Sequence, residues 1–348
     1  MNSTIALLLA QDGLTNGVIY ALLAIAILLV FLVTRILLVP QGEFVVLGAI
    51  TLVQLQRGQF ADALWLLAAL AALAIAIEAI RAWKSGRWRD LALQTAFCLT
   101  ALVVAVPLVL LATGPAPLAL QIAAVLCVVA PIGPMVYSIA FRDIAHSSTL
   151  TLLFAAVAVH YVLQGLMLPL FGAEGFRLEP LIQGRIDIGI TRLSLQLLLV
   201  AAAFAVLVVA FWLFFRFAIL GKILRATSIN RIGARLVGIS PDMSGLVAFG
   251  LASLTGAISG ILIAPLTTVY YDSGFLLALK GFVGAVVGGL ISFPVTAAGS
   301  LIVGVLESFF AFYASALKES LVFAALSPIL LYTSVTHLSG RGTEEHEE

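Results

Sequence analysis

The chain has 348 residues, of which 62% are hydrophobic and only 10% charged, with a formal net charge of +1. Soluble domains carry roughly a quarter charged residues, so this composition excludes a water-facing shell and, with a mean hydropathy of +1.18, makes lipid the solvent. The near-zero net charge gives no electrostatic case for nucleic acid, and two cysteines, Cys98 and Cys127, both inside apolar runs, are too few for a disulfide framework or a metal site.

In chain order, Met1 to Gly13 has no basic residue ahead of its apolar stretch and no small-residue cleavage pattern, so the first run reads as a retained helix. A helix crosses the hydrocarbon core in about 20 apolar residues. Runs of that kind occur at 14–34, 62–82, 91–112, 118–140, 149–171, 191–215, 243–269, 295–316 and 320–338. They are apolar on every side, unlike the alternating segments of a barrel. Two more apolar segments, 41–56 and 279–293, are short and interrupted by glycine. The expectation is an all-α, polytopic transmembrane helix bundle forming one domain over 1–348, with about ten to eleven membrane segments including two short or broken ones.

Lysine and arginine gather on the cytoplasmic side. The densest basic stretch is Arg216, Lys222, Arg225, Arg231 and Arg235, followed by Arg81, Lys84, Arg87 and Arg89. An even number of spans separates the two, so both fall on one side, together with Arg142 and His146. The segment 172–190 then lies outside, the N-terminus is periplasmic, and the acidic tail 340–348 is cytoplasmic.

Paired short, glycine-interrupted segments in the two halves of a transporter point to its substrate path. A broken helix exposes backbone N–H and C=O groups at membrane depth, which only a water-filled or protein-lined space tolerates. The plainer reading is that glycines such as Gly256, Gly260, Gly284 and Gly288 allow helices to approach closely.

Between 215 and 243 the sequence reads FRFAILGKILRATSINRIGARLVGISPDM. Apolar residues at helical spacing (Ile223, Ala226, Ile229; Ala234, Val237) predict one or two short amphipathic helices. Such a loop is commonly an anchor on anionic lipid; the other reading is a docking helix for a soluble partner.

The stretch GKILRATSINRIGARLVGIS closely resembles the cytoplasmic coupling loop of the branched-chain amino-acid type (LivH-like) ABC transporter permeases, through Gly221, Lys222, Leu224, Arg225, Ala226, Asn230, Ala234, Leu236, Gly238 and Ile239. The opening NGVIYALLAIAI and QGEFVVLGA resembles the same family, including Gly42, Glu43 and Phe44. So does the C-terminal region from APLTTVYYDSGF to GSLIVGVLES, including Lys280 and Glu307. The resemblance covers roughly residues 10–58 and 115–338. Residues 60–113 depart from the pattern as an inserted helical hairpin, which preserves the parity of everything downstream. The turn before Gly42 is also altered, to Leu38-Val39-Pro40-Gln41.

Ionisable groups inside a membrane are costly and are functional candidates by default. Glu43 opens the first short segment, with Arg35 as its candidate neighbour. Lys280 opens the second. Glu307, mid-span, requires a partner, for which Lys280 and nearby backbone are the candidates. Glu78, one turn from Arg81, reads as an ordinary helix-end ion pair, and His160 as a helix–helix hydrogen bonder. No catalytic pattern occurs: Gly221-Lys222 is followed by Ile223, not Ser or Thr, so there is no P-loop, and no zinc or serine-nucleophile motif is found.

The resemblance implies the permease subunit of an ABC importer of the bacterial inner membrane, translocating an amino acid or a related small amide or carboxylate, and itself no enzyme. No cofactor is expected on this chain, ATP being bound by partner subunits. The implied partners are cytoplasmic ATP-binding subunits gripping the 216–242 loop, a second permease (homologous or identical), a periplasmic solute-binding protein and membrane lipid, with no nucleic acid. It implies coupling roles for Lys222, Arg225, Asn230, Arg231, Ala234 and Gly238. The path is expected at Glu43, Phe44, Lys280, Gly284, Gly288 and Glu307. A stand-alone secondary transporter or channel is the alternative, since broken segments and Glu307 would serve it equally.

Overall fold

The computed structural model describes residues 3–187, 192–290, 292–324 and 327–328. Its helices are α1 (Ser3–Thr34), α2 (Gln41–Gln56), α3 (Ala63–Ser85), α4 (Trp88–Ala112), α5 (Leu118–Val129), α6 (Ile132–Val136), α7 (Thr149–Phe171), α8 (Leu195–Phe217), α9 (Ile219–Ile229), α10 (Arg231–Leu236), α11 (Pro241–Ile263), α12 (Gly274–Val287) and α13 (Phe293–Tyr313). Eight helical stretches among the described residues are long and apolar enough to cross a membrane, as expected of a polytopic helical bundle.

Several boundaries differ from the sequence reading for local reasons. The first span reaches back to Ser3, so α1 at 32 residues is about 48 Å long. The run 118–140 is one span made of α5 and α6, broken near Pro131 and closed by a π-type turn at Tyr137–Phe141; a proline lacks the N–H that the ladder needs. The run 243–269 ends as a helix at Ile263, just before Pro265. The second short segment therefore begins at Gly274 and stops at Val287, not 279–293. The segment 172–190 carries β1 (Arg185–Asp187), which pairs antiparallel with β2 (Arg192–Ser194), so the span expected from 191 starts as a helix only at Leu195. The expected span 320–338 lies largely, and the acidic tail 340–348 wholly, outside the described residues.

The chain forms two compact units, one of residues 29–181 and 207–278, the other of 1–28, 182–206 and 279–348. In the first unit α2 is the core. Fifteen of its 16 residues are buried, which explains why its sequence shows no polar face. α11 lies along it with almost no side chain between the backbones. A Cβ added to Gly48 would sit 2.6 Å from the Ala257 carbonyl oxygen, and one on Gly256 2.6 Å from Phe44 Cβ. Lipid tails are as apolar as leucine, so helices in membranes associate through such close packing and through hydrogen bonds. α5, α6 and α7 pack on this pair, and α3 and α4 pack in turn on α5. Tyr137 and Phe141 flank Phe249 at ring-centroid distances of 5.1 and 5.3 Å. The turn between α2 and α3 is closed by Gln54, whose Nε2 donates to Asp62 Oδ2 (2.7 Å) while its Oε1 accepts from the Asp62 N–H (3.1 Å).

In the second unit the first part of α1 packs on α13 through small residues: Cβ atoms at Gly13 and Gly17 would approach Val305 Cα to 2.6 Å and Leu301 Cα to 2.8 Å. Ala24, Ile27 and Ala285 form a buried cluster with Phe282 and Leu290 against it.

α8 is different in kind. Its spanning window has the highest hydropathy of the eight, yet only 6% of it is buried within the protein. Arg216, in its last turn, lies over the rings of Trp212 (5.0 Å) and Phe217 (5.6 Å).

Candidate functional site

The 216–242 segment folds into the two short helices that its periodicity predicts. α9 is fixed by Leu224, which is buried, and by the Thr227 hydroxyl, 3.0 Å from that of Ser244 at the start of α11. Asn230 caps α10, its Oδ1 accepting from the Gly233 N–H at 2.8 Å; such caps are worth about 1 kcal/mol. Ala234 is buried, and Gly238 turns the chain toward α11 with φ +85°, a conformation that side chains disfavour. Lys222 and Arg225 are exposed. Arg231 points inward, its Nη1 3.5 Å from the Ala145 carbonyl oxygen, and burial pushes its guanidinium below the ordinary arginine range. The outward surface is apolar: Ile229, Ile232, Leu236 and Val237 are 74–83% exposed.

The loop after α6 receives this segment. His146 lies 3.0 Å from Arg235 Nη2, and Asp143 accepts from Arg81 Nη2 at 2.8 Å. Both basic stretches, with Arg142 and His146, thus meet at one end of this unit, as the parity count requires. Phe176, Leu178, Ala264 and Val269 meet elsewhere in it, through hydrogen bonds from Phe176 N–H to the Val269 carbonyl (2.8 Å) and from Leu178 N–H to that of Ala264 (3.1 Å). Glu78 corrects the sequence reading. It is 2% exposed and bridges Arg81 (3.0 Å) and Arg142 (2.9 Å), so it is a buried junction between elements, not an ordinary helix-end pair. Local spacing shows Arg81 but not Arg142, 64 positions away.

A second arrangement lies inside the apolar part of the same unit. Gln41 Nε2, at the start of α2, donates to the Ala252 carbonyl at 3.0 Å, and Ala252 is the middle residue of α11. α2 therefore begins about half-way along a spanning helix. α12 begins there too, because Gly42 of α2 meets the Gly274 backbone so closely that a Cβ at Gly42 would fall on the Gly274 carbonyl. The two helix N-termini, each carrying roughly half a positive charge, converge on Glu43. This side chain is fully buried, beside Gly274. Its partner is His160, the middle residue of α7, with Nδ1 2.8 Å from Oε1, and not Arg35, which is exposed. The approach is off-axis: neither Glu43 oxygen, nor His160 Nδ1, nor Gln41 Oε1 has an aligned hydrogen-bond partner among the described residues. His160 is flanked by the rings of Tyr161 (5.0 Å) and Phe275 (5.3 Å). Phe44 faces α11 at Gly256.

The remaining path candidates belong to the other unit. Lys280 Nζ donates to Glu307 Oε1 at 2.5 Å, and the Tyr20 hydroxyl donates to Oε2 at 2.7 Å. Glu319 lies 3.2 Å from Lys280, and Lys318 3.9 Å from Glu307. Gly284 and Gly288 face α13, against Ser300 and Thr296, where added Cβ atoms would collide with the two hydroxyls. The structure thus gives both glycines a packing contact.

The described residues hold no cluster of three or more His, Cys, Asp or Glu suited to a metal ion. What they hold is transport geometry: spanning helices, two helices starting part-way across, unsatisfied polar atoms between those starts, and an exposed two-helix segment at one end. Comparison with known proteins agrees. The family described as "Branched-chain amino acid transport system / permease component" matches residues 82–333, which includes α4 of the hairpin that departs from the pattern. The high-affinity branched-chain amino acid transport system permease protein LivH of Salmonella typhimurium is 27% identical over 58% of this chain and 68% of its own length. LivH of Escherichia coli (strain K12) is 26% identical over the same shares. BraD of Pseudomonas aeruginosa, named in the same terms, is 23% identical over 92% of both chains. The chain is a multi-pass membrane protein and belongs to the family of branched-chain amino acid transport permease components.

Proposed function

We propose that this permease subunit works in an ATP-driven importer of the bacterial inner membrane and carries a branched-chain amino acid or a related small solute. The observation that carries the reading is the α9–α10 segment. An apolar surface of Ile229, Ile232, Leu236 and Val237, framed by exposed Lys222 and Arg225, is held rigidly by the Asn230 cap and the Gly238 turn. Cytoplasmic ATPase subunits dock on it and hydrolyse the ATP. A second permease completes the pathway, a periplasmic binding protein delivers the solute, and the 216–242 segment and the C-terminal tail lie in the cytoplasm.

Glu43 supports an amino-acid cargo. Two buried carboxylate oxygens, one 2.8 Å from His160 Nδ1 and neither in an aligned hydrogen bond, offer acceptors to a solute ammonium once α2 and α12 part, and unmade buried hydrogen bonds are the kind of exception that function explains. In the other unit Lys280 and Glu307 form a closed ion pair, and Gly284 and Gly288 let α12 pack on α13.

The test is reconstitution with the co-purifying ATPase and the binding protein. Gly238→Ala and Arg225→Ala are expected to leave ATP hydrolysis running while uptake falls about fivefold or more, the usual size of a coupling effect. Uptake by this chain alone that follows an ion gradient and ignores ATP overturns the proposal.

A further inference from the structure

Arg142 has more partners than its position in a short loop suggests. Its Nη1 lies 2.9 Å from Glu78 of α3, its Nη2 3.6 Å from Asp90 in the first turn of α4, and its Nε 3.6 Å from Asp242 in the first turn of α11. Its side chain is only 16% exposed and Glu78 is 2% exposed, so bulk water does not screen the central pair as it does a surface pair. Arg81 doubles the connection by bridging Glu78 to Asp143, the residue next to Arg142. Two and three positions further on, Ala145 and His146 hold Arg231 and Arg235 of α10.

The 142–146 loop is thus gripped from two sides, by the α3–α4 hairpin through carboxylates and by α10 through arginines. The guanidinium suits this place because its planar fork presents several donors at once, which a lysine ammonium does not. We infer that Arg142 is a positioning residue for energy coupling, and that the α3–α4 hairpin is the brace it uses to hold α10 and the first turn of α11 in register. Movement at 216–242 then passes into α11 as a rigid body. From α11 it passes directly to α2, since those two helices touch backbone to backbone at Gly48 and Gly260 and Gly256 seats the Phe44 side chain, and so reaches Glu43.

This rests on reading 216–242 as the ATPase-docking segment, and the experiment separates the two ideas. Solute uptake and ATP hydrolysis are measured on the complete reconstituted complex, together with the KM for ATP and the amount of protein in the membrane. The variants are Arg142→Gln, Asp242→Asn, their double, Arg142→Lys and Gly238→Ala. Arg142→Gln is expected to keep the KM for ATP while the solute moved per ATP falls about fivefold or more. Asp242→Asn falls less, the double is no worse than Arg142→Gln alone, and Arg142→Lys recovers only part because it cannot reach all three carboxylates. If Gly238→Ala uncouples while Arg142→Gln keeps the wild-type ratio, the inference fails and the docking reading stands. If Gly238→Ala leaves the ratio unchanged, the docking reading fails and takes the inference with it. Should Arg142→Gln not reach the membrane, Asp242→Asn decides: an unchanged ratio overturns the inference, a lowered one upholds it.

Discussion

Glu43 and Glu307 are both buried in apolar helices, one in each compact unit, and they are held in opposite ways. Glu307 has each oxygen taken by a fixed donor, Lys280 at 2.5 Å and Tyr20 at 2.7 Å, with Lys318 and Glu319 balancing the charge around them. Glu43 has an imidazole at 2.8 Å, off the hydrogen-bond axis, and two helix N-termini. Directional donors make a clamp, because moving either partner strands the other in a medium of low dielectric. Helix dipoles and an off-axis ring stabilise a charge without fixing it. The first cluster holds α1, α12 and α13 together, and the second leaves Glu43 with no aligned donor among the described residues.

Breaking the clamp gives the largest expected effect. Glu307→Ala leaves Lys280 buried without its closest partner, and the thermal midpoint in detergent should fall by an amount equivalent to about 3–5 kcal/mol. The double variant Lys280→Met/Glu307→Leu should recover most of that loss, since no charge is then stranded. Tyr20→Phe removes one hydrogen bond to a charged acceptor and should cost about 1.5–3 kcal/mol in the same measurement. Smallest is Glu43→Gln. With no aligned hydrogen bond to lose, it should change stability by less than about 1 kcal/mol while raising the KM for uptake. If instead it unfolds the protein as readily as Glu307→Ala, the contrast between the two carboxylates is wrong.

The sequence announces one of these clusters far better than the other. Lys280 and Glu307 stand 27 positions apart in neighbouring apolar segments, so a mid-span acid and a nearby base suggest each other. Glu43 and His160 are separated by 117 positions and four intervening spans or part-spans. Nearby Arg35 is the obvious but wrong partner, because only the fold brings α7 to the start of α2. Spans are legible wherever apolar length decides them, and α9 and α10 are legible because Ile223, Ala226, Ile229, Ala234 and Val237 recur at helical spacing. The end of α11 at Ile263 is hidden, since apolar residues continue past it and hydropathy does not register that Pro265 cannot continue a helix. The Glu78–Arg142 junction is hidden for the same reason as Glu43: local spacing offers Arg81 first.

α8 carries a consequence for the surrounding membrane itself. Twenty-three residues make a rod of about 35 Å, a few ångströms longer than a typical hydrocarbon layer of about 30 Å. Within this chain only Gln196 and Val200 of it are buried, and Arg216 stacked on Trp212 and Phe217 favours an anchor for one end at the headgroup level. Such a rod relieves its excess length by tilting, so the acyl-chain length of the host lipids becomes a mechanical input. Thin bilayers should lean α8 over, thick ones should stand it upright, and its Arg216 end leads directly into the segment that begins at Ile219.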